Sequence, residues 1–141
     1  MKKEFPKMQR KTARENTFIL LFESVCKSDE TAEEIFGKAT EVRALEYDDY
    51  VKTVFFGATE NAGVIESAVE PHLMGWKKER ISPVSRAIIR LAGYEILFME
   101  DIPAKVSINE AIELSKKYDD EKAYAFVNGV LNALAVKYSE K

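Results

Sequence analysis

The sequence predicts an all-α domain of six or seven helices, and three observations carry that prediction. Apolar residues recur at three- and four-residue spacings in one segment after another. No stretch shows the period-two alternation, bounded by tight turns, that marks a strand. The closing stretch, Phe126-Val127-Asn128-Gly129-Val130-Leu131 with Ala133 to Val136 behind it, is apolar nearly all round at helical pitch, so it needs neighbours on several sides. At 141 residues, 46% hydrophobic and 32% charged, the chain suits one globular domain. A chain of that length buries roughly two-thirds of its unfolded surface without covalent staples.

The elements follow in order. Residues 1–11 read as a flexible basic arm, broken early by Pro6. Thr12-Ala13-Arg14-Glu15 matches a capping box, and Phe18, Leu21, Phe22 and Val25 continue a first helix to about Lys27. A second helix is expected from about Glu30 to Arg43, and a long third from about Tyr47 to Glu70, weakened at Gly57 and Gly63 and ended by Pro71. Gly75-Trp76 opens a connecting segment, with Trp76 expected to plug the core in preference to serving as a ligand platform. Ser82-Pro83 is a helix start, serine as N-cap and proline at the first helical position. From Val84 to Met99 the polar residues are Ser85, Arg86, Arg90 and Glu95, which marks a central helix. Ser107-Ile108-Asn109-Glu110 offers a second capping box for a helix reaching Tyr118, and the last helix begins near Lys122. In that last helix, glycine costs about 1 kcal/mol relative to alanine, so Gly129 implies a close helix crossing. Asn128 beside it is expected to tie two helices together.

Composition excludes much chemistry. Cys26 is the only cysteine and His72 the only histidine, which leaves no internal disulfide, no cysteine or histidine metal cage and few nucleophile–base pairs. A reducing, cytoplasmic setting fits. No apolar run approaches a membrane span, and no secretory signal core follows Met1–Pro6. There is no glycine-rich phosphate loop, GxSxG elbow or HExxH, so neither an enzyme nor a cofactor is expected. Glu110 and Glu113 fit a cap and a solvated position better than a catalytic dyad.

Charge is unevenly placed. The net charge is −3, yet residues 1–14 hold six basic residues against Glu4 alone, a net +5, while the other 127 residues carry −8. Residues 28–50 alone carry −6, eight acids against Lys38 and Arg43. A basic edge on an acidic body suggests a polyanion held at that edge. Arg10, Lys11 and Arg14 gather at the amino end of the first helix, where free amides and the macrodipole already favour anions. Arg86 and Arg90, one turn apart, can extend that surface. Lys122 and Phe126 can add a cation and a stacking face. The guanidinium suits phosphate, base edges and unpaired bases.

Four motifs then carry a resemblance. Arg10-Lys11-Thr12-Ala13-Arg14-Glu15, Arg86 to Glu95, Ile102-Pro103 with Val106 to Lys116, and Phe126 to Leu131 are similar, in this order, to motifs of the NusB family of bacterial transcription antitermination proteins. The resemblance implies two small helical bundles packed together. It also implies binding of boxA single-stranded RNA as a heterodimer with the tenth small-subunit ribosomal protein (NusE), in an antitermination complex on RNA polymerase during ribosomal RNA synthesis. By the same resemblance RNA contacts fall to Arg10, Lys11 and Arg14, and further to Arg90, Lys122 and Phe126. Lys11 departs from the arginine many relatives carry, and Ser85 stands where an acid is expected. A homodimer of the free protein is compatible with all of this. Two other readings are a protein-only helical adaptor with an incidental arm and an accessory domain of an RNA-modifying enzyme. The chain has no motif for the cofactor-binding domain that the last would need.

Overall fold

The computed structural model describes residues 6–73 and 75–139. Of the expected basic arm, Met1–Phe5, with Lys2 and Lys3, lie outside the described residues. The elements are α1 (Arg10–Cys26), α2 (Ala32–Gly37) running into a π-helical turn (Lys38–Val42), α3 (Asp49–Glu60), α4 (Ala62–Val69), 3-10 turns at Glu70–His72 and Lys78–Arg80, α5 (Pro83–Phe98), α6 (Ala104–Tyr118) and α7 (Glu121–Ser139). Among the described residues there is no strand. The all-α prediction holds, with seven α-helices among the described residues.

Two small bundles pack together. In the first, α1 lies against α2 and α3. Its centre is aromatic: the Phe36 ring meets Tyr47 edge-on at 4.8 Å and Phe56 at 5.1 Å, with Phe55 at 6.2 Å. In the second, α5, α6 and α7 pack on one another and α4 covers α5 and α7. Helix α5 joins the bundles, since it also packs along α1 and α3. Ala87, Ile88, Ile89, Leu91, Ala92 and Leu97 of α5 are buried, so its circumference meets protein on several sides. It is the central helix that its sequence predicted. On α7 the buried face is Phe126, Val127, Val130, Leu131 and Leu134, while Val136 is 60% exposed. Asn128 ties no helices together. It is exposed, and its Oδ1 accepts from Asn132 Nδ2 one turn on, at 2.8 Å.

The structure corrects several expected boundaries, each for a local reason. Helix α1 starts at Arg10, two residues before the Thr12 box, and its N-cap Gln9 makes no side-chain cap bond. Met8 N–H donates to Asp48 Oδ2 at 3.1 Å, so the chain is anchored from there. The working capping box is Thr31 with Glu34 on α2. The expected long third helix breaks at Asn61, whose Nδ2 turns back to the Gly57 carbonyl at 2.8 Å, giving α3 and α4. Asp48 caps α3 by accepting from Val51 N–H at 3.0 Å. Gly57 is dictated by approach, because a Cβ there would meet the Tyr94 ring of α5. Ser82 caps α5 as predicted, accepting from Ser85 N–H at 3.0 Å. Helix α6 starts at Ala104, so Ser107 lies inside it and its hydroxyl serves a tertiary contact instead. No helix among the described residues is long and apolar enough to cross a membrane.

Candidate nucleic-acid interface

The amino end of α1 carries Arg10 and Lys11 in its first turn and no acid. Cations there oppose the macrodipole by about 0.3–1 kcal/mol each, and without a cap the first amides face outward. An anion placed at this end would relieve both. Arg10 and Lys11 are exposed, and the Arg10 guanidinium lies over the Tyr50 ring at 4.3 Å, which fixes its position without neutralising it.

Arg14 stands differently. It is buried, and its Nε donates to Glu95 Oε2 at 2.8 Å in an ion pair whose side chains are 7% and 1% exposed. Glu95 Oε2 also accepts from the Tyr50 hydroxyl, and Oε1 from the Ser107 hydroxyl at 2.7 Å. One carboxylate therefore fastens α1, α3, α5 and α6. Burial alone would lower the Arg14 pKa, but the Glu95 hydrogen bond and charge outweigh it and the net direction is up. The Tyr50 hydroxyl is pushed up by burial, then by Glu95, so it stays protonated and keeps donating. Arg14 thus sets where α1 begins, and its guanidinium is already engaged. The only hint in the sequence was a lone acid within an apolar helix.

Beside this lies a cleft lined by Lys11, Arg14, Glu15, Glu110, Glu113, Leu114 and Lys117. Glu15 accepts from Lys117 Nζ and from the Tyr118 hydroxyl, joining the start of α1 to the end of α6. The Lys117 hydrogen bond, followed by that of Tyr118, holds the Glu15 carboxyl below its usual pKa. Past Tyr118 the chain turns through Asp119 into a groove formed by Trp76, Arg80, Ile81, Ser82, Ser85, Asp119, Asp120, Lys122, Ala123 and Phe126. Residues 117–120 therefore connect the α1 cleft with the Lys122–Phe126 groove.

The remaining expected site residues separate. Lys122 is exposed in the groove. Phe126 is only 9% exposed, with Trp76 packed on it at 4.9 Å and itself 46% exposed. Trp76 does not plug the core; it covers the residue that does. Arg90 and Arg86 both reach Glu66 Oε1, at 3.0 and 3.5 Å, on the α4 side of α5. Burial, with Arg86 alongside, lowers the Arg90 pKa despite Glu66. Those two arginines border a different, largely apolar pocket lined by residues including Ile65, Val69, Leu73 and Ile89. Of the groove residues, sequence reasoning missed Arg80 and assigned Trp76 to the core. No group of three or more histidine, cysteine or acidic side chains among the described residues could hold a metal ion.

Comparison with known proteins agrees over nearly the whole chain. The model of the NusB family matches residues 11–136. The transcription antitermination protein NusB of Clostridium perfringens (strain SM101) is 45% identical over 129 residues, covering 89% of this chain and 95% of its own. T. maritima NusB superposes with a TM-score of 0.80 at 34% identity, over 96% of this chain and 100% of its own. The NusB fold in a crystal structure of antitermination factors NusB and NusE in complex with double-stranded RNA also gives 0.80, at 31% identity, over 92% of this chain and 97% of that one.

Proposed function

This chain belongs to the NusB family, and from that premise we propose that it is a cytoplasmic transcription antitermination factor binding boxA-type single-stranded RNA as a heterodimer with the tenth small-subunit ribosomal protein, NusE. In this reading the pair joins an antitermination complex on RNA polymerase and supports ribosomal RNA transcription, with no catalysis of its own. The observation that carries it is the start of α1: an uncapped helix end bearing two exposed cations, held in place by the buried Arg14–Glu95 pair. Such an end offers amides and charge to a phosphate with little reorganisation. The neighbouring complex of NusB and NusE with RNA supports the choice of partners.

The proposed path starts at Arg10 and Lys11, passes Arg14 and the end of α6, and reaches Lys122 and Phe126. Arg10, Lys11 and Lys122 would meet phosphates directly. Arg14 acts by positioning α1, and Arg90, tied to Glu66, contributes at the margin. The test is a gel-shift titration with boxA-type RNA, single-stranded and duplex, with and without the ribosomal partner. The proposal expects single-stranded RNA to bind more tightly than duplex, and the partner to tighten it further. Partner binding that ignores both RNA and salt, with no shift of RNA alone, would instead make the chain a protein-only adaptor.

A further inference from the structure

Trp76 is held out of the core by its turn. Its N–H donates to the Leu73 carbonyl at 3.0 Å, and Gly75 immediately before it has φ of +86°. That left-handed backbone is one glycine adopts freely and other residues rarely do. The turn lays the indole across the Phe126 ring, centroids 4.9 Å apart and planes at 46°, and leaves nearly half of it in solvent.

Around it the charges divide unequally. Asp119 Oδ2 accepts from the Ser82 and Ser85 hydroxyls at 2.8 and 3.3 Å, and its Oδ1 from Asp120 N–H at 2.9 Å. Asp120 Oδ1 accepts from Ala123 N–H at 2.9 Å, capping α7. Both acids of the groove are thus engaged in helix ends. Arg80 and Lys122, exposed on its walls, form no ion pair among the described residues. The groove therefore presents an aromatic face together with two available cations. That combination fits a nucleotide, whose base stacks while its neighbouring phosphates meet the cations.

We propose that Trp76, backed by Phe126, is the stacking platform for one unpaired RNA base, with Arg80 and Lys122 holding the flanking phosphates. The inference deepens the RNA-binding reading above and rests on it. Phe126, largely covered, backs the indole.

Trp76 is the only tryptophan in the chain, so the unmodified protein carries its own reporter. Single-stranded boxA-type RNA is titrated while indole emission and filter retention are read in parallel. The inference expects saturable quenching with the same midpoint as retention, and loss of quenching when one particular nucleotide is made abasic. It expects Trp76→Ala to weaken binding about tenfold and Trp76→Phe to recover most of that loss. Should Trp76→Ala fail to fold by circular dichroism, the Trp76→Phe and abasic arms decide. Tight retention with silent emission and an unchanged Trp76→Ala affinity would overturn the platform and leave the RNA reading standing. No retention of RNA by the wild type would overturn both. A Trp76→Ala variant that loses only the ribosomal partner would assign this face to protein and likewise overturn the platform.

Discussion

The two ends of the proposed RNA surface are built in opposite ways. At the start of α1, an acid from the interior engages one cation: Glu95 takes Arg14 and, through Tyr50 and Ser107, locks the helix start to three other helices. At the Trp76–Phe126 groove the acids are the engaged groups, occupied by serine hydroxyls and helix amides, and the cations are left available. The first region derives its geometry from a buried ion pair and its attraction from Arg10 and Lys11. The second derives its geometry from a glycine turn and its attraction from an aromatic face. A surface of mostly acidic composition can thus present positive ends, because what matters is which charges are already satisfied and not how many there are.

The largest expected effect tests the first region's foundation. Replacing Glu95 by alanine leaves the Arg14 guanidinium buried and unpaired and orphans the Tyr50 and Ser107 hydroxyls. Breaking a buried pair from one side costs about 3–5 kcal/mol, so urea denaturation should show the midpoint fall steeply or no folded state at all. A near-wild-type midpoint would mean that α1 is placed by apolar packing alone. Replacing Arg14 confounds RNA binding with folding for the same reason, so the direct contacts are better tested at Arg10 and Lys11.

A smaller effect concerns the link between the regions. The Glu15 carboxyl, lowered chiefly by the Lys117 hydrogen bond, contributes stability above its unfolded pKa of about 4.5. That contribution is lost as pH falls through the still lower folded value. For so exposed a pair, screened by solvent, the contribution is small. Denaturation midpoints of wild type and Glu15→Gln should therefore differ at pH 6 and converge towards pH 3. A constant offset across that range would show that the pair is neutral to stability.

Much of the fold was legible because it depends on local pattern. Ser82-Pro83 marked the start of α5, and the spacing of Val127, Val130, Leu131 and Leu134 marked the buried face of α7. The failures share a cause. Thr12-x-x-Glu15 and Ser107-x-x-Glu110 have the capping-box pattern, yet Glu15 and Ser107 serve Lys117 and Glu95, residues far away in sequence. A four-residue pattern cannot register that competition. Arg10 and Lys11 were legible as exposed cations from charge asymmetry. Arg14 and Arg90 were not distinguishable from them, because Glu95 and Glu66 come from other helices. The exchange of roles between Trp76 and Phe126 depends on how a loop crosses α7, which neither residue's own neighbourhood in sequence specifies.

The central claim, that RNA phosphates dock on the cations beside the start of α1, is tested most directly by the salt dependence of boxA-type RNA affinity for wild type and for Arg10→Ala with Lys11→Ala. With Arg10, Lys11, Arg80 and Lys122 each on a phosphate, wild type should give a log–log slope of about −2.8 for a single strand. The double variant should bind at least tenfold more weakly, its slope closer to zero by about 1.4, with helix content unchanged by circular dichroism. Equal affinities and equal slopes for the two proteins would contradict the claim.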